Sequence, residues 1–183
     1  VQTIDFIGYA KDKDIGAWVF DNLAVKNGRV YELNDEDFFD IGKLAIKSLN
    51  QSVSLSINPD LKDYDDEWAK LLWYCFRAKG IVCLAYWLGA LFAEQIRAMQ
   101  ESFPFIEIVG EPGAGKSTII EFLWKLIGRT DYEGFDPQKA TVAARARNFA
   151  QVANLPIVLI ESDRESGDGD RIKQKGFDWD ELK

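Results

Sequence analysis

The apolar run Phe105-Ile106-Glu107-Ile108-Val109 leads directly into Gly110-Glu111-Pro112-Gly113-Ala114-Gly115-Lys116-Ser117. That order predicts a strand, a tight backbone turn and a helix in succession, and its G-x-x-x-x-G-K-S spacing is that of a phosphate-binding loop. A triphosphate can be wrapped only by backbone N–H groups that come close, and side chains on the inner turn would block them. Gly110, Gly113 and Gly115 keep that turn open. The helix behind the loop would aim its first N–H groups and its positive dipole end at the phosphates. Lys116 is placed to reach the β- and γ-phosphates, and Ser117 supplies the hydroxyl for Mg²⁺, with Thr118 the less favoured hydroxyl behind it. Glu111, Pro112 and Ala114 complete the nucleotide loop, Glu111 and Pro112 as spacers set by turn geometry. Ile119, Ile120, Phe122, Leu123, Leu126 and Ile127 then form an apolar stripe at helical spacing, closed by Gly128.

A second pattern lies downstream. Leu155-Pro156-Ile157-Val158-Leu159-Ile160 reads as a buried strand ending in Glu161-Ser162-Asp163, the form of the acidic strand that P-loop enzymes place beside the phosphate loop. The interval from Lys116 leaves room for a helix, a short strand and a second helix. Glu161 is expected at the metal or its water shell and Asp163 as the base that orients water, because alternate strand residues share a face. Reversed roles stay open, as does the plainer reading in which both acids are solvated charges at a strand end.

Composition narrows the chemistry. The 183 residues are 47% apolar, enough for a real core, and contain no histidine, so imidazole catalysis and the usual zinc sites are excluded. Carboxylates, lysine and arginine must do any chemistry. A net charge of −8 argues against a surface that holds duplex phosphates by itself, though not against a narrow basic channel formed in an oligomer. Cys75 and Cys83 both sit in apolar helical stretches and are expected to be buried thiols rather than a disulfide, which suits the cytoplasm. The apolar run from Ile81 to Ala93 falls short of the roughly twenty residues that span a bilayer, so a buried helix and no membrane contact are expected.

Along the chain, residues 1–62 read as a β-rich region in which Asn27-Gly28 marks a hairpin and Val53, Leu55 and Ile57 suggest a further strand. Residues 63–102 read as a helical connector of two apolar helices, the first entered at Asp65 and Asp66 and broken at Gly80, the second running from Ile81 to Met99. Residues 103–183 read as the P-loop NTPase core, including an alanine-rich helix from Thr141 to Val152. The fold class is therefore α/β: a partial P-loop core, a parallel sheet with flanking helices, preceded by an N-terminal α+β region. The chain opens on Val1 and stops soon after the second motif, and it reads as a fragment truncated after the acidic strand.

The segments GEPGAGKST and FDPQKATVAARARNFAQVANLPIVLIESD resemble the ATPase segment of primase-helicase proteins carried by phages and integrative mobile elements, and NLAVKNGRVYELNDEDFF has the same look. The resemblance implies ATP and Mg²⁺ as cofactors and an AAA+-like or superfamily 3-like motor. It implies single-stranded or forked DNA as the partner of the full-length protein and a ring of identical subunits. Gly110, Gly113, Gly115, Lys116 and Ser117 match the nucleotide loop, and Glu161 with Asp163 approximately match the acidic strand. Ser162 departs from the two adjacent acids usual in such rings. The sensor and arginine finger are expected beyond Lys183, so the fragment is expected to bind ATP and hydrolyse it poorly.

Other classes fit less well. A P-loop kinase would need an acceptor site that nothing here resembles, and a GTPase switch would need a guanine motif after Asp131-Tyr132-Glu133-Gly134. A nucleotide-dependent oligomerisation module that translocates nothing remains the main alternative. Arg145 and Arg147 are read as solvated or ion-paired before they are read as arginine fingers.

Overall fold

Asn27-Gly28 does form the expected turn. Both residues have positive φ, 51° and 72°, as a two-residue type I′ connection requires. They join β4 (Ala24–Lys26) to β5 (Arg29–Tyr31) in antiparallel register with Lys26 opposite Arg29. In the computed structural model, which describes residues 1–13, 15–50, 53–130, 132 and 134–160, this hairpin belongs to the larger of two mixed sheets.

That sheet has the order β5-β4-β3-β2-β8. It contains β2 (Ile7–Asp12) and β3 (Ile15–Val19), and β8 (Val152–Ala153) runs parallel to β2 at its edge. The smaller sheet has the order β1-β7-β6, with β1 (Gln2–Ile4) parallel and β6 (Phe39–Ile41) antiparallel to β7 (Leu44–Ser48). Alternation along β3 divides its side chains between two cores. Ala17 and Val19 join Ile4, Phe39, Ile41 and Ile46 in a small cluster, whereas Trp18 packs against the helical core and donates its indole N–H to Leu91 O at 2.8 Å.

Among the described residues four α-helices complete the fold: α1 (Glu67–Ala90), α2 (Ala93–Gln100), α3 (Lys116–Leu126) and α4 (Val142–Ala150). The α3 stripe is Ile119, Ile120, Leu123, Trp124 and Ile127, all buried, meeting Ile7, Leu23 and Leu55 from the N-terminal region, Leu72 and Trp87 from α1, and Leu155. Trp87 and Trp124 meet edge to face at 4.7 Å. All three expected segments thus contribute to one cluster.

Several elements differ from the sequence expectation. The first apolar helix does not break at Gly80. The break is at Arg77 (φ 53°, ψ −143°), and Gly80 is a buried helical residue whose added Cβ would stand 2.7 Å from Phe76 Cβ. That glycine serves close packing rather than termination. The expected helix from Ile81 to Met99 is instead interrupted between α1 and α2. Leu91 O is taken by Trp18 and by Asn154, and Asn154 Oδ1 accepts the Glu94 N–H at 3.1 Å, so tertiary partners satisfy the backbone groups that the interruption frees.

Val53–Ile57 is not a strand. Its backbone is held one bond at a time, with Leu55 N–H donating to Asp21 Oδ2, Ser56 N–H to Gly128 O and Ile57 N–H to Asn22 Oδ1. Nor does 105–109 join a ladder among the described residues. Pro156–Ile160, its expected companion, makes one parallel bridge, Leu159 with Phe135. A central parallel strand needs a neighbour on each side, and this single bridge does not supply them.

The α1 helix is also less buried than its composition suggests. By length and composition its 24 residues are enough to cross a membrane, yet it seats Leu72, Gly80, Trp87 and Ala90 on the core and is broken at Arg77. It is apolar on both faces and the core covers only one, which leaves Leu71, Tyr74, Ile81, Val82 and Leu88 exposed. Cys75 lies on the outward face and is exposed, contrary to expectation, and Cys83 is half-buried.

Candidate phosphate-binding site

Residues 105–109 deliver the chain to the loop, with Ile108 packed on the main core and Phe105 and Val109 exposed. Gly113 and Gly115 both lie in the left-handed region, φ 80° and 81°, where a side chain is strained. At Gly115 the chain reverses into α3. Its carbonyl accepts the Ile119 N–H at 3.0 Å, and Ala114 N–H donates to Glu111 O at 3.1 Å to tighten the turn.

No side chain caps the N-terminus of α3, so its first N–H groups are left for another acceptor. Lys116 folds back over the loop and donates to Gly110 O and, at 3.0 Å, to Glu111 O. An ammonium group thus stands over two loop carbonyls beside the uncapped start of α3. Ser117 and Thr118 follow in the first helical turn, both exposed. The predicted loop residues are brought together in one turn. Glu161 and Asp163 lie outside the described residues, and the segment that leads to them is described only to Ile160, whose N–H donates to Phe135 O at 2.9 Å.

This donor set fits a phosphate chain. It offers open backbone, an uncapped helix start and one flexible cation, and the hydroxyl of Ser117 stands in the first helical turn for a hard cation bound with the phosphates. No protein-family model, no curated protein and no solved structure matches the chain. The chemistry of the site therefore rests on its own residues.

Phe76 carries the floor of the loop and is not apparent from sequence. A Cβ on Gly115 would stand 3.2 Å from Phe76 Cε1, so the α1 residue just before the Arg77 break lies directly against the turn. Arg145, one of two arginines weighed as fingers, instead donates to Pro137 O and Ala140 O and braces the turn before α4. Sequence reasoning does not single out Arg129 either. Its signal is the order Trp124, Gly128, Arg129, Tyr132: an aromatic residue, a helix-ending glycine and a second aromatic residue around one cation.

Proposed function

We propose that this chain is the ATP-binding part of an ATP-hydrolysing nucleic-acid motor, a helicase or primase-helicase of a phage or mobile element, built on a P-loop NTPase core. The observation that carries the reading is the turn at Gly113 and Gly115 running into the uncapped start of α3 with Lys116 folded across it. Backbone N–H groups from the turn and the first helical turn bind the β- and γ-phosphates of Mg·ATP, and Lys116 exchanges its two loop carbonyls for phosphate oxygens. Ser117 and Glu161 hold Mg²⁺ or its water shell, and Asp163 orients the attacking water. Bound Mg²⁺ supplies charge neutralisation on the phosphate oxygens. The outward apolar stripe on α1 supports a contact between identical subunits, since contiguous exposed apolar area marks interaction surfaces.

The test is Mg·ATP binding and hydrolysis by the full-length protein, with and without single-stranded DNA, beside Lys116→Ala. Nucleotide binding and DNA-stimulated turnover that are both lost in the variant support the motor. Binding without stimulation by any polynucleotide moves the reading to a nucleotide-dependent oligomerisation switch, and unchanged binding in Lys116→Ala overturns the phosphate-loop assignment itself.

A further inference from the structure

At the opposite end of α3 from the phosphate loop, the helix closes with a double hydrogen bond. Gly128 N–H donates to Lys125 O at 3.1 Å and Arg129 N–H to Trp124 O at 3.0 Å, the Schellman arrangement that a left-handed residue permits. Gly128 has φ 84°, and a Cβ there would collide with Ser56 O, so the turn tolerates no other residue without rearrangement. Its effect is to fold Arg129 back along its own helix. The guanidinium lies 4.9 Å from the Trp124 ring centroid and 3.3 Å from that of Tyr132, and these rings meet nearly at right angles.

Arg129 faces a cleft of about 370 Å³, at the lower end of the range for ligand pockets, roughly 300–1,000 Å³. Phe135 and Pro156 form apolar wall, and Asn148 and Gln151, one turn apart at the end of α4, bring two amides to the same space. Arg129 lies over the face of the Tyr132 ring and makes no ion pair among the described residues, and the side-chain amides of Asn148 and Gln151 have no hydrogen-bond partner there. Burial holds the guanidinium pKa below its usual value and pushes the Tyr132 phenol up, as expected where water is partly excluded.

We propose that this cleft binds one nucleotide of a single-stranded polynucleotide, at a site separate from the phosphate loop. The Phe135 ring takes the face of a base, the amides take its hydrogen-bonding edge, and the guanidinium, which has no carboxylate partner among the described residues, takes the adjoining phosphate. The eleven residues of α3 hold the cleft and Lys116 roughly 15 Å apart along the helix axis, so occupancy of one leaves the other open. The net charge of −8 makes such binding local and salt-sensitive rather than a property of the whole surface. The proposal rests on the nucleic-acid part of the reading above.

The experiment is fluorescence anisotropy of labelled dT₂₀ and rU₂₀ with the full-length protein, its Asn148→Ala and Arg129→Gln variants, and Mg·ATP binding measured on the same samples. Affinity for the oligonucleotide that falls about tenfold or more in both variants, with Mg·ATP binding unchanged, supports the cleft. Equal oligonucleotide binding by parent and variants overturns the cleft and leaves the motor standing, whereas a parent that binds neither oligonucleotide overturns both. Photo-crosslinking with a 5-iododeoxyuridine oligonucleotide keeps the test open should Arg129→Gln fail to fold. Adducts at Tyr132 or Phe135 that persist in excess Mg·ATP support the proposal, and adducts confined to other regions sink it.

Discussion

Phe76 lies against Gly115 so closely that a β-carbon on the glycine would stand 3.2 Å from Phe76 Cε1 and 3.5 Å from Cζ. The contact joins α1 to the turn that starts α3, and it makes the position of the phosphate loop depend on where α1 breaks. The break at Arg77, with φ 53°, directly follows Phe76.

Gly115→Ala combines two costs. The φ of 81° places an alanine in the left-handed region, unfavourable by about 1–2 kcal/mol, and the new methyl meets the Phe76 ring. Calorimetric titration with Mg·ATP is expected to show at least a tenfold loss of affinity, with chemical denaturation showing lower stability. Adding Phe76→Ala should relieve the contact but not the backbone strain, so the double variant recovers part of the lost affinity. Wild-type affinity in Gly115→Ala would mean that this turn does not bind the phosphates.

Replacing Glu161 or Asp163 singly by its amide in the full-length protein separates their proposed roles. The variant lacking the catalytic carboxylate keeps Mg·ATP binding and loses turnover by about 10²–10³, the usual cost of removing one transition-state stabilising group. Two amide variants that both hydrolyse ATP at the parent rate would remove the acidic strand from the mechanism.

The loop, the α3 stripe and the Asn27-Gly28 hairpin were legible because each is specified locally: by glycine spacing, by a 3.6-residue period and by paired positive φ values. Gly80 misled because a glycine inside an apolar helix looks like a breaker, whereas its close approach to Phe76, one turn earlier in α1, goes with the break at Arg77, which no glycine or proline marks in the sequence. Val53–Ile57 misled by its alternation, since its bonding partners are the side chains of Asp21 and Asn22, more than thirty positions away. The Arg129 cleft was hidden for the same reason. Its cation and its amides come from the ends of α3 and α4, and neither helix declares a site alone.

Leu123 is fully buried in the face by which α3 joins the core. Leu123→Ala removes that packing and is expected to lower unfolding free energy by about 2–5 kcal/mol in urea titration. Because the loop is the N-terminal extension of this helix, Mg·ATP should restore part of the lost stability by binding only the folded chain. A loss below about 0.5 kcal/mol, the size of a surface substitution, would mean that α3 is not seated on the core as described.

The two thiols should differ in accessibility, and burial should move the reactivity of Cys83 to higher pH. Cys75 is exposed on the outward face of α1, whereas Cys83 is half-buried and burial pushes its thiol above the usual value. The thiolate is the reactive form, so a raised pKa leaves less of it at any given pH and moves the alkylation profile of Cys83 to higher pH. Iodoacetamide at about pH 8, just below the ordinary thiol pKa, is expected to label Cys75 first, with Cys83 catching up as the pH is raised through about 9 and beyond. Peptide mapping by mass spectrometry at each pH reads both sites at once. Equal labelling rates at the lower pH would show that Cys83 is not shielded by the core, and with it the seating of Trp87 one turn further along α1 would be in question.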